Sequence, residues 1–371
     1  MTFYPEIQMP NSLNKLFIGT MSGTSYDGVD ICAISARKKI DLIQFSSFKY
    51  PPKLRKQIAA VIENQVLSLE NYVELNTKIG MAFAKSINAF VIENNFSASQ
   101  IMAIGLSGQT LWHYPKGKYP FSIQAGDPSI VSNKCGIDVV HDFRNDHIAL
   151  GGEGAPLVPE FHQKLFSSSQ KNKLILNIGG IANYSFLIKS KDFFGSDSGP
   201  GNALLDSYCQ KFLNKGYDRN GLLARKGKVH QASLKEMLAH PFFAKRQPKS
   251  TGKEIFNLRF IPKNLFKQSH EDILATLTEV TALTIARAIK QKEKSINEIT
   301  ACGGGIKNIF LMERISHHVS SEIVSSKTMG YDPQSIEAMA FGWLARQRLE
   351  SNPLKVGKKK GLLGKITKFK S

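Results

Sequence analysis

The chain has 371 residues, of which 42% are apolar, 9% aromatic and 21% charged. This composition excludes a disordered chain, a collagen and a small disulfide-stapled protein, and the length favours two lobes about one cleft. Lysine and arginine outnumber acidic residues by 49 to 30, which leaves a formal net charge of +19. Seven lysines and no acidic residue lie in the last nineteen positions, 353–371. We expect 351–371 to form a solvated basic tail, and a contact with nucleic acid or lipid is the less favoured alternative.

The four cysteines lie far apart in the sequence, at Cys32, Cys135, Cys209 and Cys302. Since none forms a C-x-x-C pair, the sequence predicts neither a zinc site nor a redox-active dithiol. The N-terminus lacks a basic segment followed by an apolar one, and no run of about 18 apolar residues occurs. We therefore expect a cytoplasmic protein without a membrane span.

The first half of the chain alternates between short buried strands and amphipathic helices. A strand over 15–20 runs into a loop of small residues, 21–30, and a second strand over 31–36 completes a hairpin. Apolar residues that recur at three- and four-residue spacing predict helices. The remaining elements expected in this half are helices near 52–65 and 72–94 and strands over 101–105 and 136–140.

The second half repeats the pattern of a buried strand that ends on glycine. A strand over 173–178 ends at Gly179 and Gly180 and then returns through 184–188. The other predicted elements are a capped helix over 269–291, a strand over 298–302 that ends on three glycines, and a helix over 335–348.

This duplicated unit predicts an α/β fold of two related lobes whose glycine loops face each other across a cleft. We place the N-terminal lobe at 1–170 and the C-terminal lobe at 171–350, with the basic tail at 351–371.

Three of the predicted strand ends carry clustered glycine and hydroxyl residues, at 19–28, 177–183 and 301–308. Loops without β-carbons let backbone N–H groups approach an anion closely. Neither a Walker pattern nor a G-x-G-x-x-G fingerprint is present, which disfavours P-loop and Rossmann chemistry. One such loop alone is most often a tight turn. Three together, with Asp27 and Asp30 as candidate magnesium ligands, favour nucleotide binding.

Longer motifs connect these loops. In chain order they are GTMSGTSYDGVD, GQT, QAGDP, DFR, IALGGEGAPLVPEFH, NIGGIAN, DSGPGNALLD, PKSTGKEIF, DILATLTE, CGGGIKN and DPQSIEAMAFGWLA. Over about 16–363 this series resembles the anhydro-N-acetylmuramic acid kinase family. The resemblance implies two lobes of the actin/sugar-kinase (ribonuclease H-like) type around a nucleotide cleft.

Members of that family use ATP, Mg²⁺ and water to convert 1,6-anhydro-N-acetylmuramic acid, a product of peptidoglycan turnover, into N-acetylmuramic acid 6-phosphate. A carboxylate takes a proton from water, the water opens the anhydro ring at C1, and the freed O6 attacks the γ-phosphate. General-base help of this kind is worth about a hundred- to ten-thousandfold. The resemblance also implies a small amino sugar as partner and a homodimer, and nucleic acid is not the expected partner despite the basic tail.

The resemblance assigns the glycine loops to the nucleotide. The implied ATP-binding residues are Gly23, Thr24, Ser25, Tyr26, Asp27, Gly28, Val29 and Asp30 in the first loop, Gly179, Gly180 and Asn183 in the second, and Gly303, Gly304 and Gly305 in the third. Asp27 or Asp30 would hold the metal.

The implied sugar side lies mainly between the first two loops. Its residues are Gln109, Thr110, Gln124, Asp127, Arg144, Gly151 and Gly152. Arg144 also has a physical rationale, since a planar guanidinium suits the lactyl carboxylate of the sugar.

The sequence departs from the family at one position of the sugar side. The family pattern has an aspartate there, which we interpret as the general base. His147 occupies that position, and Asp146 precedes it by one residue. Three hypotheses stay open: His147 is the base, Asp146 is the base, or the protein binds the sugar without converting it. An unperturbed imidazole has a pKa of about 6.5, which suits a base at pH 7.

Two further departures lie on the sugar side. Ser107 stands where the family usually has histidine, and Glu153 stands where it usually has glutamine. Glu153 would add a negative charge near an anionic substrate. A different amino sugar as substrate is therefore another alternative.

Overall fold

The computed structural model describes residues 15–23, 25–35, 39–64, 66–252, 254–290 and 295–370. The predicted loop residue Thr24 lies outside these ranges. The strands are β1 (Leu16–Met21), β2 (Gly28–Ser35), β3 (Leu42–Lys49), β4 (Ile101–Gly105), β5 (Gln109–Tyr114), β6 (Phe121–Ala125), β7 (Val139–His141), β8 (Lys173–Ile178), β9 (Ile181–Ile188), β10 (Asp192–Pro200), β11 (Glu298–Cys302), β12 (Ile323–Ser325), β13 (Leu354–Val356), β14 (Lys359–Gly361) and β15 (Lys365–Thr367).

Helices cover the sheets and connect their strands. They are α1 (Pro52–Asn64), α2 (Leu69–Glu93), α3 (Pro128–Cys135), α4 (Phe143–Ala149), α5 (Pro159–Phe166), α6 (Ala203–Phe212), α7 (Gln231–Leu238), α8 (Pro241–Ala244), α9 (His270–Lys290), α10 (Ile309–His318) and α11 (Ser335–Leu349). Among the described residues, no helix is both long enough and apolar enough to cross a bilayer.

Two sheets share one order of five strands, and the first sheet has β15 as an additional antiparallel edge strand. The first sheet runs β15-β7-β4-β1-β2-β3 and the second runs β10-β9-β8-β11-β12. In each, three successive antiparallel strands are followed by strands parallel to the first of the three. The repeated order confirms the prediction of two related lobes.

Helix α11 lies between the two sheets. Gly19 of β1 and Gly105 of β4 allow its close approach, because a β-carbon on Gly19 would lie 1.9 Å from the carbonyl oxygen of Ala338 and one on Gly105 would lie 2.0 Å from that of Phe341. One apolar cluster joins residues of the first sheet, residues of the second sheet and most of α11. Helix α11 therefore packs against both sheets in one continuous apolar core.

Two predicted boundaries differ from the structure. Strand β2 begins at Gly28 instead of residue 31, because residues 28–30 already pair with β3. Glycine allows the close approach at this point, since a β-carbon on Gly28 would lie 2.0 Å from the carbonyl oxygen of Phe48. Asp30 therefore lies within a strand and not in a loop. Strand β7 begins later than expected because Gly136, with φ of 67°, closes helix α3.

The prediction of a solvated tail is wrong for the part that forms strands. Strand β15 pairs with β7 as the edge of the first sheet, and β13 pairs with β14. Apolar residues between the lysines explain the difference, since Leu354, Val356 and Leu363 are buried in the cluster that contains α11. The lysines stay at the surface, where Lys368 pairs with Asp138 at 2.7 Å.

Candidate active site

The second and third glycine loops lie side by side near the N-terminus of α11. Strands β8 and β11 are parallel neighbours with Asn177 opposite Cys302, so the glycines that follow them are adjacent. Glu337 of α11 accepts a hydrogen bond from Asn177 and interacts electrostatically with Asp30 of the first sheet. Residues from both lobes thus meet at Glu337.

The third loop needs its glycines for steric reasons. Gly303 has φ of 85°, and a β-carbon there would lie 2.4 Å from Asn177 Oδ1. One on Gly305 would lie 2.3 Å from Ile178 Cγ2, whereas Gly304 is open, with its nearest atom 4.0 Å away. In the second loop, the carbonyl oxygens of Gly179 and Gly180 accept hydrogen bonds from the backbone at 201–203.

Asn183, which follows the second loop, carries an unsatisfied group. Its Oδ1 is buried and has no hydrogen-bond partner among the described residues. A buried acceptor without a partner is unfavourable unless a ligand or water supplies one. The second loop therefore has unused capacity to bind a ligand.

The first loop divides into exposed and packed residues. A β-carbon on Gly23 would meet no atom within 4 Å, and Asp27 is exposed. In contrast, the side chains of Tyr26 and Val29 belong to the core of the N-terminal lobe. Only the backbone of these two residues could face a nucleotide.

Asp27 and Asp30 are suitable in type for a magnesium ion. Asp27 accepts a hydrogen bond from Ser25 Oγ at 2.7 Å, and Asp30 accepts one from Ser47. Burial raises the pKa of Asp30 to about 6. Mg²⁺ is commonly held by one or two carboxylates together with substrate phosphates, so this pair fits the ion.

Gln109, predicted on the sugar side, lies against the first glycine loop. Its Oε1 accepts a hydrogen bond from Ser22 Oγ at 2.7 Å, and its Nε2 donates to the carbonyl oxygen of Gly23 at 3.3 Å. Ser107, which replaces the histidine usual in the family, accepts a hydrogen bond from the backbone N–H of Ser22 at 3.1 Å. Both residues therefore fix the shape of the first loop.

The hairpin β5–β6 carries Thr110 and Gln124. Gln124 Nε2 donates to Ser122 Oγ at 2.6 Å and to Thr110 Oγ1 at 3.3 Å, while its Oε1 is buried and has no partner among the described residues. On the same hairpin, burial lowers the pKa of His113 to about 4. The unpaired oxygen of Gln124 is thus available to a ligand.

Asp127, also predicted on the sugar side, caps a helix. Its Oδ1 accepts hydrogen bonds from the backbone N–H groups of Ser129 at 2.8 Å and Ile130 at 3.3 Å, at the start of α3. An aspartate at this position stabilises a helix start by about 1 kcal/mol. The contacts of this carboxylate are therefore structural.

Arg144 lies on helix α4 and interacts electrostatically with Glu337 of α11 and Asp197 of β10. One of its terminal nitrogens donates to the carbonyl oxygen of Gly154 at 2.9 Å, while Nε is buried with no partner among the described residues. Burial lowers the pKa of the guanidinium, and Glu337 and Asp197 counteract this effect. The turn at 151–154, which includes Gly151 and Gly152, holds this arginine in place.

His147 makes contacts that do not suit a general base. Its Nδ1 accepts a hydrogen bond from the backbone N–H of Gly154 at 2.9 Å. Burial lowers the pKa of His147 to about 4, so the ring is neutral at pH 7. A neutral ring whose Nδ1 accepts carries its proton on Nε2, and neither nitrogen then has a free lone pair. Gly152 has to be glycine here, since a β-carbon would lie 2.2 Å from His147 Cε1.

Asp146 faces the C-terminal tail. Its Oδ2 accepts a hydrogen bond from the backbone N–H of Gly364 at 2.8 Å. This contact directs the carboxylate to the segment before β15, which gives Asp146 a structural role.

Asp197 on β10 has the burial and the electrostatic surroundings that suit a general base, the role that the sequence analysis considered for His147. It is 5% exposed, and its Oδ2 accepts a hydrogen bond from the backbone N–H of Thr251 at 2.8 Å. Burial raises its pKa to about 7, with Glu153 and Glu254 acting in the same direction and Arg144 against it. Perturbed carboxyl groups of this kind are typical of catalytic sites. The motif that begins at Asp197 is visible in the sequence, but nothing in it indicates the charge environment.

Comparison with known proteins identifies the family. A sequence profile for anhydro-N-acetylmuramic acid kinases matches residues 15–367. The chain belongs to the anhydro-N-acetylmuramic acid kinase family. It is 46% identical to the anhydro-N-acetylmuramic acid kinase of Gamma-proteobacterium EBAC31A08 over 96% of this chain and 99% of that one. It is 40% identical to the enzyme of the same name from Pasteurella multocida over 91% of both chains.

One similar solved structure is the activator of 2-hydroxyisocaproyl-CoA dehydratase from Clostridium difficile with bound ADPNP. It aligns with a TM-score of 0.48 and 11% identity over 91% of this chain and 96% of that chain.

Membership of the anhydro-N-acetylmuramic acid kinase family confirms several predictions. The chain is a phosphotransferase that acts on an alcohol group and uses ATP. Its two-lobe α/β fold is the predicted one.

Proposed function

We propose that this protein converts 1,6-anhydro-N-acetylmuramic acid, ATP and water into N-acetylmuramic acid 6-phosphate and ADP. Family membership over residues 15–367 supports the substrate. The observation that carries the mechanism is the buried Asp197, whose pKa is raised to about 7 by burial. A base is most effective when its pKa lies near the working pH.

Asp197 takes the proton from the attacking water. The water oxygen bonds to C1, the bond between C1 and O6 breaks, and O6 attacks the γ-phosphorus while ADP leaves. Arg144 binds the lactyl carboxylate, because its guanidinium has an unpaired Nε and lies near enough to Asp197 to lower the pKa of that carboxyl group. Gln124 orients the sugar with its unpaired Oε1.

The glycine loops hold the phosphates with backbone N–H groups, which position the nucleotide without side-chain reorganisation. Asp27 and Asp30 would hold Mg²⁺, which when bound neutralises charge on the phosphates. His147 shapes the turn beside Arg144 through its hydrogen bond with Gly154.

Mass spectrometry of the sugar incubated with the protein, Mg-ATP and ¹⁸O-water tests this assignment. Wild type should give the 6-phosphate with label at C1. Asp197→Asn preserves shape but cannot take a proton, so product formation should fall by at least about a hundredfold. His147→Ala, which removes no base in this mechanism, should retain activity within about tenfold. Loss of product in His147→Ala together with retention in Asp197→Asn would instead make the imidazole the base.

A further inference from the structure

Glu153 joins three separate parts of the molecule. One carboxylate oxygen lies 2.7 Å from Lys116 Nζ, at the tip of hairpin β5–β6. The other accepts a hydrogen bond from Ser250 Oγ, in a loop of the C-terminal lobe. Glu153 itself follows helix α4 in the N-terminal lobe, so this one side chain bridges the cleft.

The loop at 248–252 that Glu153 contacts also holds Asp197. The backbone N–H of Thr251 donates to Asp197 Oδ2 at 2.8 Å, and the backbone N–H of Asp197 donates to the carbonyl oxygen of Lys249 at 2.9 Å. Lys249 is buried and donates through Nζ to the carbonyl oxygen of Phe242 at 2.9 Å. Ser250 is therefore the link between this anchored loop and the opposite lobe.

We propose that Glu153 is a positioning residue that fastens the sugar side of the N-terminal lobe to the loop holding Asp197, and that its charge tunes this base. The inference rests on the function proposed above. It gives the unusual glutamate a role that glutamine could fill only in part, because an amide oxygen can accept from Ser250 but carries no charge.

Several charged groups surround Asp197. Glu153 and Glu254 raise its pKa, and Arg144 lowers it. Lys249 and Tyr184 also interact with it electrostatically. On its other side, Glu153 pairs with a lysine and interacts with two histidines, which are Lys116, His113 and His147. Removing the charge of Glu153 should therefore lower the pKa of Asp197.

Two substitutions separate position from charge. Glu153→Gln retains an acceptor for Ser250 but removes the charge, so kcat at high pH should stay near wild type. The acid limb of kcat/KM, which rises as Asp197 loses its proton, should move to lower pH. Ser250→Ala removes the link but keeps the charge, so kcat should fall by about tenfold with little movement of the limb, since small misplacements affect rate strongly.

Glu313→Gln is the matched control, because it removes a glutamate that pairs with Arg225 on an exposed surface. It should change neither readout. The inference is overturned if Glu153→Gln leaves the acid limb in place, or if Ser250→Ala retains wild-type kcat, while both variants melt near the wild-type temperature. Failure of wild type to form any product would contradict the proposed function itself.

Discussion

The proposed nucleotide side and the proposed sugar side of the site are built differently. The nucleotide side uses backbone at the ends of strands, where Gly303 and Gly305 are fixed by close contacts with residues 177–178 of the adjacent strand. The proposed sugar side uses the side chains of Arg144 and Gln124, which donate to Gly154 and Ser122. Arg144 also interacts electrostatically with Glu337 and Asp197, which are distant in the sequence. At the glycine loops the neighbouring strand constrains the backbone conformation, whereas on the proposed sugar side the neighbouring elements set the positions and charges of side chains.

The C-terminal segment is one of the neighbouring elements on which the proposed sugar side depends. Asp146 on α4 accepts a hydrogen bond from Gly364, and a β-carbon on Gly361 would lie 2.5 Å from Leu150 Cδ1 at the end of the same helix. Helix α4 carries Arg144, so the tail supports the sugar side. The third glycine loop instead contacts the end of β8, and the second contacts the backbone at 201–203.

Removal of 353–371 should produce the largest effect. It eliminates three buried side chains, each of which contributes about 1.5–3 kcal/mol, and it leaves β7 as an unpaired edge. We expect a large fall in Tm and a greater rise in KM for the sugar than for ATP. Val319→Ala, at a buried position of the C-terminal lobe, is the control and should lower Tm without changing that ratio. An equal rise in both KM values would contradict the inference that the tail supports the proposed sugar side more than the glycine loops.

Gly303→Ala should produce the next largest effect. The positive φ of 85° and the approach to the carbonyl oxygen of Ile178, at 2.6 Å, both oppose a β-carbon. We expect a loss of about 2–4 kcal/mol in the free energy of unfolding and weaker ATP binding by calorimetry. Gly304→Ala, with open space around it, should change stability by less than about 0.5 kcal/mol. Equal destabilisation by both variants would show that the positive φ and the close contacts at Gly303 do not cause the loss of stability.

The same contrast explains what the sequence can predict. Strand ends on glycine are local signals, so the three loops and the duplicated lobes follow from them. The helix predicted over 269–291 is also a local signal, and α9 occupies His270–Lys290. Asp197 cannot be recognised in this way, because its raised pKa depends on burial and on Glu153, which lies 44 positions earlier in the sequence.

Asp127 and the basic tail show where local sequence signals fall short. Asp127 lies within a motif of the family, but its carboxylate caps helix α3. The expectation of a solvated tail rests on charge alone, although Leu354 and Val356 lie between its lysines and are buried. Composition does not show which residues of a segment face the core.

The ion pairs of the tail should produce the smallest effect. Lys365 pairs with Asp142 and Lys368 with Asp138, and the lysine side chains are 61% and 65% exposed. Exposed pairs of this kind contribute less than about 1 kcal/mol each. Replacing both lysines with methionine should lower Tm slightly in dilute buffer and less at about 1 M salt, where charges are screened within about 3 Å.

A second double variant, Lys359→Met with Lys360→Met, is the control for these ion pairs, because both positions are exposed in the same tail. It should leave Tm and the KM for the sugar near their wild-type values. A large loss of sugar affinity in the first double variant alone would show that charge, and not the buried apolar residues, fastens the tail to the sugar side.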